Sequence, residues 1–328
     1  MSLLAHPVLP FPVDVPTTVR ADIYKFTSAD THFALDSDLP RYSRAVLYAL
    51  TQHLQQSRCI VGNDADGLTA TFWHVLSVLA QEYPTWFEVQ PQAYVFKNYL
   101  WGFQLVGGQV RRLDQPPRLN HHLAEEVIRY LEQRPAPLAD ALRLSVQEDI
   151  AIIQRQPEPA KDQAEALLVC LPSGWDPAEK LGQDFSTIHR PVAHSDRLAK
   201  SHANLNKVLF NKPFKRFVWS LVTDDVLCHN PALHTQPELT EVRLEQLFFR
   251  SERQTFIPLP KLNRYVFTIR VYSTPLLEVL AGDVDKAKRL EQALASMTPA
   301  HLAYKNLTYM RDEIIYRLQE YHLNQTSA

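Results

Sequence analysis

The chain has 328 residues, is 45% hydrophobic and 21% charged, and carries a formal net charge of −2. These are globular proportions, which exclude a disordered chain, and the near-neutral balance excludes a broad nucleic-acid footprint. No apolar run approaches the length of a bilayer span, and prolines stand where a signal peptide would carry its apolar core, so neither a membrane protein nor a secreted one is expected.

In chain order, residues 1–40 are proline-rich and read as an irregular arm that wraps the domain, because Phe11, Tyr24, Phe26 and Phe33 need burial. Tyr42, Val46, Ala49, Leu50 and Leu54 trace one helical face. Asn63–Gly67 (NDADG) reads as a turn or helix start whose aspartates cap rather than bind calcium, since no glutamate follows at the loop position an EF-hand requires. A helix over Leu68–Tyr83 follows, with Phe72, Val75, Leu76 and Leu79 inward. Val95–Val110 predicts an extended pair turning at Gly107-Gly108. Further helices are expected over His122–Arg134, ended by Pro135, and over Leu138–Gln154, in which Glu148 and Asp149 read as a solvated face or structural acids.

A short strand, Leu167–Leu171, breaks at Pro172-Ser173-Gly174 and leads through Trp175 to His189, just ahead of Pro191. Proline restricts its own φ and biases its neighbour, so a side chain here is presented with little freedom. Ser195–Phe210 reads as a helix. Strands follow at Arg216–Thr223, Leu247–Leu259 and Tyr265–Tyr272, the last two close enough for a hairpin. Helices over Leu276–Leu294 and Tyr304–Tyr321 close the chain. Helices, then a mainly antiparallel sheet, then helices again favour an α+β fold over a doubly wound one. The order suits a single domain over 1–328: the arm, a mainly helical half at 41–160, and the His189 loop, sheet and closing helices at 161–328.

The three cysteines, Cys59, Cys170 and Cys228, lie far apart and form no CxxC or CxxCH. That spacing points to a reducing, cytoplasmic compartment and away from a zinc knuckle or covalently attached haem. Only 8 glycines occur against 23 prolines, and the glycine-rich phosphate cradles, the GxSxG elbow and HExxH are missing, which closes the common motif routes to an enzyme assignment. Alternation along FFRSERQTF puts Phe248, Arg250, Glu252, Gln254 and Phe256 on one strand face and Phe249, Ser251, Arg253 and Thr255 on the other. Charges this dense require pairing or a lined cavity. Arg216 and Arg270 on neighbouring strands extend the set toward an anionic ligand, or toward a charged sheet edge that blunts aggregation. Of the 13 histidines, His121, His122, His194, His202, His229 and His234 read as surface residues, and no pair shows zinc-ligand spacing with a third ligand close by.

The ordered segments LPSGW (Leu171–Trp175) with Lys180 and the Ile188-His189 motif, FFRSERQTF, Phe267–Leu276 and Ala303–Leu307 (AYKNL) resemble the haem-dependent oxidative N-demethylase family, typified by the haem subunit of dimethylamine-oxidising enzymes. Val146–Ile150 (VQEDI) and Pro10–Asp14 (PFPVD) fit as well, so the resemblance spans roughly residues 8 to 320. It implies a PAS-like antiparallel sheet flanked by helices and a non-covalent b-type haem held by His189 as the metal ligand. It also implies Glu252 and Arg216 as distal, catalytic residues, with Arg253, Arg270 and Lys180 pairing the haem propionates. By the same resemblance the substrates are a small amine and dioxygen, the electrons come from a separate reductase, and the reaction is oxidative N-demethylation. A non-catalytic haem sensor or carrier is the alternative. The chain departs from the family pattern at Arg216-Phe217-Val218-Trp219, where valine replaces an asparagine, and at Ala193-His194, where a second proline is usual.

Overall fold

The computed structural model describes residues 9–17, 23–61, 64–91, 93–97, 100–113, 121–134, 137–156, 162–190 and 207–326. Its centre is a seven-stranded antiparallel sheet built from β1 (Tyr24–Lys25), β2 (Arg58–Ile60), β7 (Asp149–Arg155), β8 (Asp162–Leu168), β9 (Phe214–Val222), β10 (Phe248–Leu259) and β11 (Arg264–Pro275), in the order β1-β9-β10-β11-β7-β8-β2. A separate four-stranded meander, β3 (Phe87–Gln90), β4 (Ala93–Lys97), β5 (Gly102–Val106) and β6 (Gln109–Arg112), stands beside it. The mixed α+β class is as the sequence indicates.

The N-terminal helices are α1 (Leu39–Gln52), α2 (Leu54–Ser57), α3 (Ala65–Glu82), α4 (His121–Glu132) and α5 (Leu138–Ser145). α1 buries Tyr42, Val46, Ala49 and Leu50, the face that its spacing predicts. Asp64 caps α3 by accepting from the Gly67 amide at 2.9 Å, and its other oxygen meets Arg264 at 2.7 Å. A Cβ on Gly67 would lie 2.2 Å from that oxygen, so the residue must be glycine for the arginine to reach the cap. Asn63 lies outside the described residues. Gly107 and Gly108, with φ of 55° and 77°, form the two-residue turn between β5 and β6.

Three expected helices come out differently. The segment read as a helix over Leu138–Gln154 ends at Ser145 and continues as β7, hydrogen-bonded to β11 on one side and β8 on the other. Ile150, Ala151, Ile152 and Ile153 are all buried, so the run lacks the alternation that distinguishes a strand from a buried helix. The expected Leu276–Leu294 helix is α7 (Leu276–Leu280) and α8 (Val284–Ala295), separated at Gly282 with φ 75°. Tyr304–Tyr321 likewise splits into α9 (Pro299–Tyr304) and α10 (Arg311–Thr326), with Asn306 left-handed between them. Most of the expected Ser195–Phe210 helix lies outside the described residues. In the arm, Phe33 is fully buried and Phe11 stacks on Phe249, whereas Tyr24 is exposed on the edge strand β1, where it pairs with β9 instead of entering the core.

The two faces of the large sheet have different coverings. Ile150, Ile152, Ala166, Leu168, Ile257 and Val266 pack against α1, α3 and α5, while Trp219, Leu221 and Phe249 on that same face meet the C-terminal helices. The opposite face carries Ala151, Ile153, Leu167, Phe256 and Tyr265 beneath Trp175, Leu181 and Ile188. Register fixes these assignments, because alternate residues of paired strands share a face.

Candidate haem site on the Glu252 face

Registry places the SERQT residues on opposite sides of the sheet, as their alternation predicts. Glu252 pairs with Val218 and Val271, Arg253 pairs with Phe217 and Arg270, and Gln254 pairs with Arg216 and Ile269. Arg216, Val218, Glu252 and Gln254 therefore form one patch, and Arg253 and Arg270 belong to the other face.

The Arg253 face is sealed by the arm. Arg253 donates to the carbonyls of Thr31 and His32, and Thr255 donates to the His32 carbonyl at 3.0 Å. Arg270, 0% exposed, donates to Asp36 at 2.8 Å and lies 3.9 Å from the centroid of the Tyr42 ring. Gln147 exchanges two 2.8 Å hydrogen bonds with Asp36, and Glu148 accepts from the Ala34 amide at 2.6 Å. Burial pushes the Glu148 carboxyl up, against the pull of Arg270. Asp149, the next residue, accepts from Arg143 and from the amides of Cys170 and Leu171. VQEDI is thus a bracket that binds arm, α5 and the end of β8, and Glu148 and Asp149 are structural acids. Arg253 and Arg270 are held by carbonyls and a carboxylate with the sheet between them and Glu252.

On the Glu252 face, Gln254 Nε2 donates to Glu252 Oε2 at 2.6 Å. Arg216, Val218 and Glu252 are each half-buried. Tyr304 and Lys305 of AYKNL come in beside β9, where the Lys305 ammonium donates to the Trp219 carbonyl and lies 5.0 Å from the centroid of the Trp219 ring, whose side chain belongs to the Arg253 face. Desolvation brings Lys305 down to about 8, with Glu252 opposing the shift and Arg216 adding to it. The same desolvation, reinforced by Glu252, raises the Tyr304 phenol. Lys305 and Tyr304 are site residues that sequence reasoning left without a role; their signal was the AYKNL motif, but only the fold shows what it borders.

The His189 turn belongs to the same side of the sheet. Asp184 caps the short helix α6 (Phe185–Ile188) by accepting from the Thr187 amide at 2.9 Å, and Ile188 packs with Ala151, Ile153 and Phe256. His189 follows at the helix end, half-buried, its ring 3.9 Å from the Phe185 ring centroid to centroid. Its Nδ1 lies 2.8 Å from the Phe185 carbonyl oxygen. A carbonyl only accepts, so Nδ1 carries the proton, and in the neutral ring Nε2 carries the lone pair. That tautomer, fixed by a backbone carbonyl, is one in which a neutral imidazole ligates a metal, so the residue present fits a haem-iron ligand. Lys180, half-buried, closes the Pro177–Glu179 turn between Trp175 and Leu181, both packed on this face. Pro191, Ala193 and His194 lie outside the described residues.

Arg250 anchors the root of the loop. Fully buried among described groups, it donates to Ser173 Oγ at 2.8 Å and to the carbonyls of Leu171, Pro172, Val226 and Leu227. The dense charge of the SERQT strand therefore divides into two structural arginines, Arg250 and Arg253, and one half-buried carboxylate facing the site.

One sheet face thus carries an oriented imidazole and a carboxylate–arginine patch. The family described as haem-dependent oxidative N-demethylase, alpha subunit-like, matches residues 28–315, and the chain belongs to that family. No curated protein is similar enough to the chain to match it. Among the described residues, no helix is long and apolar enough to cross a membrane.

Proposed function

We propose that this chain binds a non-covalent b-type haem through His189 and catalyses the oxygen-dependent oxidative N-demethylation of a small amine. The observation that carries the reading is the Nδ1–H···O=C bond to Phe185, which fixes the ligand tautomer on the sheet face that also presents Glu252 and Arg216. Haem iron, when bound, supplies the activation of dioxygen. The protein's part is electrostatic and orienting. A secondary or tertiary amine is cationic at neutral pH, so Glu252 attracts it, sets its orientation and accepts its proton at the carboxylate. Gln254 holds Oε2 of that carboxylate, which restricts its rotamer. Arg216, one strand over, supplies a fixed positive charge and planar donors to the patch that Glu252 belongs to. Lys305, its charge disfavoured by burial, limits how much cationic repulsion an incoming amine meets.

The five strands β8-β7-β11-β10-β9 run in the order 2-1-5-4-3, with the core helices on one face and the His189 turn on the other, which supports the PAS-like reading. Electrons are assigned to a separate reductase, and the three free cysteines support a cytoplasmic setting. One observation favours the alternative of a haem sensor or carrier: Val218 places an apolar side chain directly beside Glu252. Two measurements separate these readings. Protein reconstituted with haemin is expected to show a Soret band that His189→Ala loses or shifts; a chain that refuses haem, or an unchanged spectrum in the variant, removes the haem reading. Aldehyde release from methylated amines with reductant and oxygen then distinguishes enzyme from carrier.

A further inference from the structure

The long connection between β9 and β10 gathers three side chains with no part in the site above. His229 Nε2 lies 2.9 Å from Asp224 Oδ1, and His234 Nε2 lies 2.9 Å from Asp224 Oδ2. The two rings stack 5.1 Å apart, 22° from parallel, so both imidazoles converge on one carboxylate. The three ligand atoms all fall within 4.8 Å of one another. This corrects the reading of His229 as a surface residue, because its side chain is 4% exposed. Two histidines and an acid five and ten residues apart carry no recognisable motif; the fold of the loop makes them neighbours.

The backbone that carries them is fixed independently of their side chains. His229 donates its amide to Pro172 and accepts from Gly174, both at 2.9 Å, which joins the loop to the turn leading toward His189. Arg250 clamps Val226 and Leu227 from below. Asn230 accepts from the Leu233 and His234 amides through its carbonyl and from Ala232 through its side chain, closing the tight turn that brings His234 back over His229. The site is preorganised at its buried end, and it is open at His234, whose side chain is 22% exposed and gives an entry path.

We propose that Asp224, His229 and His234 form a binding site for a divalent first-row transition ion, of which zinc is the representative. Two imidazoles and a carboxylate are the usual ligands of sites that leave a position for water. Zinc–ligand bonds of ~2.0–2.1 Å put neighbouring ligand atoms of a tetrahedron ~3.3 Å apart, close to the N···O separations here. The ion displaces the two Nε2–H···O bridges to the carboxylate; each ring then ligates as neutral imidazole through Nε2 with its proton moved to Nδ1, and no electron transfer is involved. His234, at the exposed end, is the ring with room to close onto the ion. Bound there, the metal ties the β9–β10 loop to the Pro172–Gly174 turn.

The test uses the purified full-length chain, incubated with zinc chloride, dialysed against metal-free buffer, and assayed for retained metal by mass spectrometry. The expected result is one equivalent of zinc retained by the wild type, with affinity falling in Asp224→Asn and in His234→Ala by more than the ~10–100-fold cost of losing a ligand's outer hydrogen-bond partner. His234→Ala keeps the question decidable if Asp224→Asn misfolds, because His234 is the exposed member; circular dichroism checks that it folds. A wild type that retains no zinc overturns the proposal, as does a folded His234→Ala chain that holds zinc as tightly as wild type. Neither result bears on haem binding at His189, which is read separately from the Soret band.

Discussion

Asp149→Ala is the most informative single perturbation of the framework. Both Arg143 and Asp149 are 1% exposed, and the carboxylate accepts from Arg143 Nε at 2.9 Å and Nη2 at 2.5 Å. It also accepts from the Cys170 amide at 2.8 Å and the Leu171 amide at 3.0 Å. Removing it strands a buried guanidinium and two buried amides, and a lone partner of a broken buried pair costs about 3–5 kcal/mol. With an unfolding entropy of ~2.1 cal/mol/K per residue, 328 residues convert that cost to a fall in Tm of about 4–7 °C. Chemical denaturation of the haem-free chain, alongside calorimetry, measures it. Arg143→Met combined with Asp149→Leu should recover the part of the loss that the stranded guanidinium causes, because no charge is then left buried, while the Cys170 and Leu171 amides stay unpaired. The Cys170 and Leu171 amides that Asp149 holds fix the strand end that leads to the His189 loop, and both variants lose that hold, so haem affinity should fall in the single and in the double. A single-variant loss below about 1 kcal/mol, or a double variant no better than the single, would refute the argument that this ion pair closes the core.

Other consequences are narrower. Glu252→Gln should leave the Soret band in place while slowing amine oxidation by about 10²–10⁴-fold, the usual range for a general base; unchanged turnover removes Glu252 from the mechanism. Lys305 has a folded pKa lowered to about 8 from 10.5, so its buried charge subtracts stability fully below pH 8, and the penalty fades as pH rises from about 8 toward 10.5. Lys305→Met should therefore be more stable than wild type at pH 7, with the gap narrowing between pH 8 and 10.5 in denaturation midpoints. Arg250→Lys should cost about 2–3 kcal/mol, since one ammonium cannot serve the four carbonyls and the hydroxyl that the guanidinium reaches; equal midpoints would show that the clamp is dispensable.

Several parts of the site were legible from local pattern. Alternation put Glu252 and Gln254 opposite Arg253, and the register bears that out. The caps at Asp64 and the turn at Gly107-Gly108 followed from short-range chemistry, which operates over a few residues whatever the tertiary context. The family motifs pointed to His189 and to the chain's membership, because ordered spacing survives in one dimension. Two expected helices broke at left-handed residues, Gly282 and Asn306, and β7 failed for a different reason. β7 read as helix because a strand buried on both faces loses its period, and only its two neighbours make it a strand.

The arginines show the division most plainly. By itself, the sequence determined that Arg216, Arg250, Arg253 and Arg270 are carried on strands, and that the fold is α+β. It could not say what each guanidinium meets, because those partners lie tens to hundreds of residues away along the chain: Arg253 on the Thr31 and His32 carbonyls, Arg270 on Asp36, Arg250 on the β9–β10 loop. Tertiary packing alone assigns those partners. Long-range pairing also drew Asp224, His229 and His234 around one point and set Lys305 beside the Glu252 face, since a loop's path is fixed by the walls it packs against.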